Sequence, residues 1–217
     1  MTALPKMILA TGAMSLVCLL LLHFLSPEYE PSWRMISEYA LGKYKGLLTA
    51  FFVLSAACTM MLPILLWNET DGLWATVGLV LVFLSGVGAL MGGLFDLKHP
   101  LHGAAFALGV PTITVGALLV SYHIVKRPDW SQYSTGTLLT AHAIWISLVL
   151  MGVSMAVMMN GFKQAGIAMG PGATPPETVP PGVIAVAGYF NRLLVICNTA
   201  WVMVMAYVYL MLTDTTS

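Results

Sequence analysis

Six long apolar runs, separated by short polar interruptions, make up most of the chain. They cover about 7–25, 46–67, 73–95, 101–125, 136–159 and 188–212, and each is nearly free of charge. A helix crossing a bilayer needs about 20 mostly apolar residues, a length these runs supply. The strands of a membrane barrel would alternate apolar and polar positions over about ten residues, and that alternation is missing. Hydrocarbon offers the backbone no water, so such a run meets its own N–H and C=O groups only as a helix. The pattern predicts an all-α integral membrane bundle of six transmembrane helices, one domain over residues 1–217. Lys6 ahead of the first run has the look of a signal peptide. The run, however, leads into His23 and Ser26-Pro27-Glu28 rather than a small-x-small cleavage site, so it reads as an uncleaved first helix.

The interruptions differ in kind. Residues 26–45 are polar and aromatic-rich, long enough for a short interfacial helix, with Trp33, Tyr39 and Tyr44 suited to the headgroup zone. Residues 68–72 (NETDG) and 96–100 (DLKHP) read as tight turns, the second with Pro100 at the start of helix four. The longest connection, 160–187, is rich in Gly and Pro and is predicted to be irregular and mobile. Pro63 and Pro111 are expected to kink helices two and four. Gly88 and Gly92 form a G-x-x-x-G that reads as internal helix packing.

Composition narrows the function classes. The chain is 59% hydrophobic and 8% charged, where a soluble domain carries about 25% charged residues, so a soluble enzyme is excluded. Nine Lys and Arg balance nine Asp and Glu, which leaves no basic surface for nucleic acid. Cys18, Cys58 and Cys197 lie inside apolar runs and read as packing residues. With six spans, loops one, three and five share one face. That face collects Glu28, Glu30, Arg34, Glu38, Asp96, Lys98, His99, His102, Glu177 and Arg192, while the other holds little beyond His123, Lys126, Arg127 and Asp129. Any chemistry is therefore expected on the loop one, three and five face. Basic residues number six on that side and three on the other (Lys6, Lys126, Arg127), which favours an N-terminus outside.

The candidate chemistry is sparse. Asp96, His99 and His102 span the turn into helix four, and two imidazoles with a carboxylate are the raw material of a zinc site or an acid/base pair, with Glu38 or His23 as a further ligand. The structural alternative is that they cap helix four and bond to loop one. Ser37 beside Glu38 could act as a nucleophile or cap a short helix. Arg192, after Asn191, could snorkel, pair with Asp96 or Glu38, or grip a lipid phosphate, with Arg34 and Ser37 contributing to such a ligand site. His123 and His142 raise a haem between helices only as a lesser reading.

Several short motifs resemble a known family: Ser26-Pro27-Glu28, then Ile36-Ser37-Glu38 and Leu41-Gly42, the Phe95-Asp96 turn ending in His102-Gly103, and Asn191-Arg192 opening the last helix. The chain is similar over roughly 7–212 to the prokaryotic multipass proteins grouped as domain of unknown function 998. That resemblance implies a six-helix bundle in a prokaryotic inner membrane with no assigned activity, and it usually puts loops one, three and five outside. These residues support two functions. One is binding of a lipid or other amphiphile at Glu38, Asp96, His99, His102 and Arg192, with hydrolysis as an extension. The other is a non-catalytic accessory or assembly subunit of a larger membrane complex.

Overall fold

The computed structural model describes residues 2–167 and 176–214. Its six long helices are α1 (Ala3–Leu25), α2 (Lys45–Leu66), α3 (Leu73–Leu94), α4 (His102–Ile124), α5 (Ser134–Gln164) and α6 (Ala187–Asp214). Each is long and apolar enough to cross a membrane, and no strand occurs among the described residues. The protein is an all-α integral membrane bundle, as the hydropathy pattern requires. Loop one contains a 3-10 helix at Ile36–Leu41, and loop four a single helical turn at Pro128–Ser131. The central part of the Gly/Pro-rich connection, 168–175, lies outside the described residues.

Two boundaries depart from the hydropathy reading. α5 continues to Gln164 rather than stopping near 159. Its 31 residues span about 46 Å, well beyond a ~30 Å hydrocarbon core. The extra turn is polar in sequence but anchored by Phe162, which is fully buried and meets Trp33 edge-on at 6.0 Å. α4 begins at His102, so Pro100 sits in the preceding turn rather than at the first helical position.

Consecutive helices are neighbours, α6 closes back onto α1, and α6 also reaches α2. α6 is the central helix: 44% of its spanning window is buried, against 28–33% for the other five. Glycine sets the tightest approaches. A Cβ on Gly88 would stand 2.9 Å from Ala105 O and closer still to Gly109 N, and one on Gly116 would stand 2.9 Å from Gly78 O, so α3 and α4 touch backbone to backbone. Gly92 instead faces Phe52 of α2, which makes the G-x-x-x-G an internal packing device used against two different helices.

Packing is uneven along the membrane normal. The largest core cluster gathers Leu62, Leu66, Leu79, Val120, Ile124, Trp130, Trp201 and Met205, toward the side of loops two and four. Toward loops one, three and five the buried residues divide into two smaller groups. One forms around Leu22, Tyr39 and Phe51, the other around Trp33 and Phe162.

Candidate functional site

α6 opens with Ala187-Gly188-Tyr189-Phe190-Asn191-Arg192, and loop one folds down onto that end. Gly188 is required by the approach: a Cβ there would stand 2.5 Å from Pro31 O and 2.7 Å from Arg34 O. Its N–H donates to Ser32 O at 2.9 Å, and Asn191 Oδ1 accepts from the Ile36 N–H at 3.0 Å. Arg192 is 7% exposed. Its Nε–H donates to His23 Nε2 at 2.6 Å, Nη1 to Arg34 O at 2.7 Å and Gly188 O at 3.0 Å, and Nη2 to the Tyr39 hydroxyl at 3.1 Å. His23 Nδ1 lies 2.6 Å from Leu19 O, and because a carbonyl can only accept, Nδ1 carries the hydrogen and Nε2 presents the lone pair that Arg192 uses. The guanidinium is thus held by neutral groups alone. Neither Glu38 nor Asp96 is its partner.

Glu38 instead pairs with Arg34 at 2.8 Å, and its second oxygen accepts the Met35 N–H at 2.8 Å. The 3-10 helix is therefore capped at Met35 by Glu38, and Ser37 lies inside it rather than at its cap. Arg34 also donates to Pro176 O at 2.8 Å and stacks 3.9 Å over Trp33, which joins loop one to loop five. Asp96 binds Lys45 at 2.9 Å and accepts the Lys98 N–H at 3.1 Å. That ammonium first, then the Lys98 N–H, holds the Asp96 carboxyl below the usual carboxylate range. His99 stacks on Phe95 at 4.3 Å, and His102 Nδ1 donates to Phe95 O at 2.9 Å.

Asp96 therefore turns to Lys45, while His99 and His102 engage the ring and the carbonyl of Phe95. Among the described residues, no three His, Cys, Asp or Glu side chains come together as a metal set. On the opposite side, His123 pairs with Asp71 at 2.9 Å, while His142 bonds to the Tyr122 hydroxyl at 2.9 Å and the Trp145 N–H at 2.7 Å. These two histidines do not share a centre. Arg127 bridges Glu69 and Asp129, both at 3.1 Å, which ties loop two to loop four.

What the structure does assemble is a cavity of about 170 Å³ on the loop one, three and five half, between α2, α3, α4 and α6. Ile36 and Ser37 of the 3-10 helix line its outer end with His102 and Asn191. Phe51, Phe52 and Phe106 line its middle. Its deep end is polar again, with Ser55, Thr59, Ser85, Asn198 and Thr199. Asn198 lies 11 positions into α6 and Ser55 lies 10 into α2, roughly 15 Å along each helix. The small residues Gly88, Ala89, Gly92, Ala105 and Gly109 leave the space open. Of the residues singled out from the sequence, Ser37, His102 and Asn191 line this cavity, whereas Arg34, Glu38, Asp96, His99 and Arg192 do not.

The deep polar group was not picked out from the sequence. Asn198 was the readable signal, an amide in the middle of an apolar run. Serine and threonine gave none, because in a helix they ordinarily bond their own preceding turn. The cavity can receive a ligand with an apolar body and polar groups, at hydrogen-bonding positions that carry no formal charge. In the comparison with protein families, the family described as "Protein of unknown function (DUF998)" matches residues 9–208. No curated protein and no solved structure matches the chain.

Proposed function

The chain belongs to the DUF998 family, and from that premise we propose that this integral membrane protein binds a lipid or other amphiphile on the loop one, three and five half, in the inner membrane of a prokaryotic cell. The observation that carries the reading is the cavity, with an aromatic middle between two polar ends at membrane depth. Pockets that hold small organic ligands combine apolar walls with a few convergent polar groups, and this one does so within the reach of bilayer lipid. Arg192, Arg34 and Glu38 support the site indirectly, by holding the 3-10 helix that covers it. Asn191 and Ser37 contribute to the lining itself. If hydrolysis follows binding, the geometry favours His102 and Ser37 as the groups nearest a bound ligand, with Asp96 and Glu38 held elsewhere by Lys45 and Arg34. Zinc would need ligands drawn from Asp96, His99 and His102 after rearrangement of their present bonds.

The test is native mass spectrometry of the full chain released from lipid nanodiscs, wild type beside Ala89→Leu. The leucine extends a lining side chain into the cavity. Wild type is expected to retain the added mass of a small amphiphile, and the variant to lose it while keeping its helical circular dichroism. Release of wild type with no bound amphiphile would sink the reading. The accessory-subunit reading draws on a different observation, that the charged candidates are engaged within the fold itself. It expects a constant protein partner to co-purify and the cavity to be dispensable for that partnership.

A further inference from the structure

Resting on the amphiphile-binding reading above, we propose that the ligand of this cavity is an uncharged amphiphile whose hydroxyl group points inward, such as a long-chain alcohol or a monoacylglycerol. The protein leaves several polar groups around the cavity unmet. Ser55 Oγ and Asn198 Oδ1 are buried and have no hydrogen-bond partner. No hydrogen bond among the described residues engages the side chains of Thr59, Ser85 or Thr199 either. Other helix hydroxyls bond their own preceding turn: Thr11 donates to Met7 O at 2.8 Å, Ser147 to Ile144 O at 2.8 Å and Ser154 to Met151 O at 2.9 Å. Ser26 Oγ and Thr137 Oγ1 are also buried and unpaired, but neither lines this cavity. Buried polar groups in folded proteins are normally paired, so a cluster of unpaired ones around a single space marks a place where a bound molecule completes the set.

Charge and donor balance then narrow the ligand class. Among the described residues no Lys, Arg, Asp or Glu lines the cavity, so a carboxylate or phosphate entering it would be desolvated with no counter-ion. The guanidinium of Arg192, next in sequence to the lining residue Asn191, already has its nitrogens on His23, Arg34, Gly188 and Tyr39. At the outer end His102 carries its hydrogen on Nδ1, facing Phe95 O, which leaves Nε2 as an acceptor. Asn198 Oδ1 is an acceptor as well. These groups need a ligand that donates, while the serine and threonine hydroxyls can take either role. A hydroxyl both donates and accepts, whereas an ether or ester oxygen only accepts.

Volume sets how much of the molecule enters. A cavity of about 150 Å³ holds a benzene, so about 170 Å³ takes a hydroxyl with its first several carbons and excludes a whole phospholipid. The remaining chain has a route outward past Phe106, which lines the cavity yet is 47% exposed within the apolar span of α4.

The experiment uses the full chain in phosphatidylcholine nanodiscs with a diazirine-tagged dodecanol as photoprobe. Labelled peptides are mapped by mass spectrometry, and the competitors are dodecanol, dodecyl methyl ether and dodecanoate. Labelling is expected on the α4 and α6 cavity residues, with dodecanol competing at least tenfold better than the ether or the acid. Asn198→Leu and Ser55→Ala should each lower that labelling several-fold, while Ser154→Ala, whose hydroxyl bonds within its own helix away from the cavity, should leave it unchanged. Equal competition by the ether overturns the hydroxyl assignment, and better competition by dodecanoate overturns the uncharged one. Either result leaves amphiphile binding itself standing. Cavity labelling that no competitor displaces, or labelling confined to the outer lipid-facing surface, overturns both readings together.

Discussion

Arg192 brings a guanidinium into the packed end of α6, and its value lies in geometry more than in charge. A planar fork reaches α1 through His23, loop one through the Arg34 carbonyl and the 3-10 helix through Tyr39 in one step. Interhelical hydrogen bonds inside a membrane protein average about 0.6 kcal/mol and reach about 1.7 kcal/mol at most, so losing these three costs about 2 kcal/mol, with about 5 kcal/mol as the ceiling. Arg192→Met is expected to lower unfolding stability in mixed micelles by that amount. Arg192→Lys should fail to restore it, because an ammonium cannot satisfy the same directions. Full stability in the lysine variant would show that charge, not the fork, does the holding. Loop one hydrogen exchange should rise in the methionine variant as well, since Arg34 and Tyr39 lose their anchor on α6.

At the scale of the helix pair, α3 and α4 meet through glycines that are not equivalent. Gly88 has no room for a methyl group against Ala105 O, whereas a Cβ on Gly109 would meet nothing nearer than 3.6 Å. Gly88→Ala should therefore push the helices apart and destabilise the protein by about 1–3 kcal/mol, the usual cost of overpacking. Gly109→Ala should be neutral or slightly stabilising, because alanine is the better helix former and the contact it makes is ordinary. Thermal unfolding of the two variants side by side checks the asymmetry. The same α3–α4 seam forms one wall of the cavity, so a shift at Gly88 would also alter the site.

For the whole molecule, the six spans put loops one, three and five together, and the structure links them by named contacts. Arg34 reaches Pro176 between loops one and five, and Lys45 at the head of α2 reaches Asp96 in loop three. In a background with Cys18, Cys58 and Cys197 replaced by alanine, single cysteines at Lys98 and Glu177 should react with an impermeant maleimide from one side of the membrane, and one at Asp129 from the other. Labelling of all three from the same side would refute the six-span topology. The compartment in which Lys98 reacts also tests the inward orientation that the basic-residue count favours.

Composition and apolar run length alone determined the all-α membrane class, the number of spans and the face that gathers the polar loops. Those are local properties: a run of about 20 apolar residues has no other stable backbone state in hydrocarbon. Family membership was legible from short motifs such as Ile36-Ser37-Glu38 and His102-Gly103, and the 9–208 match bears it out. The partners of each charged side chain were not legible. Spacing put Asp96 near His99 and His102, yet Lys45, distant in sequence but adjacent in the bundle, takes the carboxylate. The end of α5 was missed for the same reason, since Phe162 finds its burial against Trp33 of loop one. Only the tertiary structure brought Ser55, Ser85 and Asn198 around one space, because a cavity is a property of where separate helices fail to meet, and no single helix carries that information.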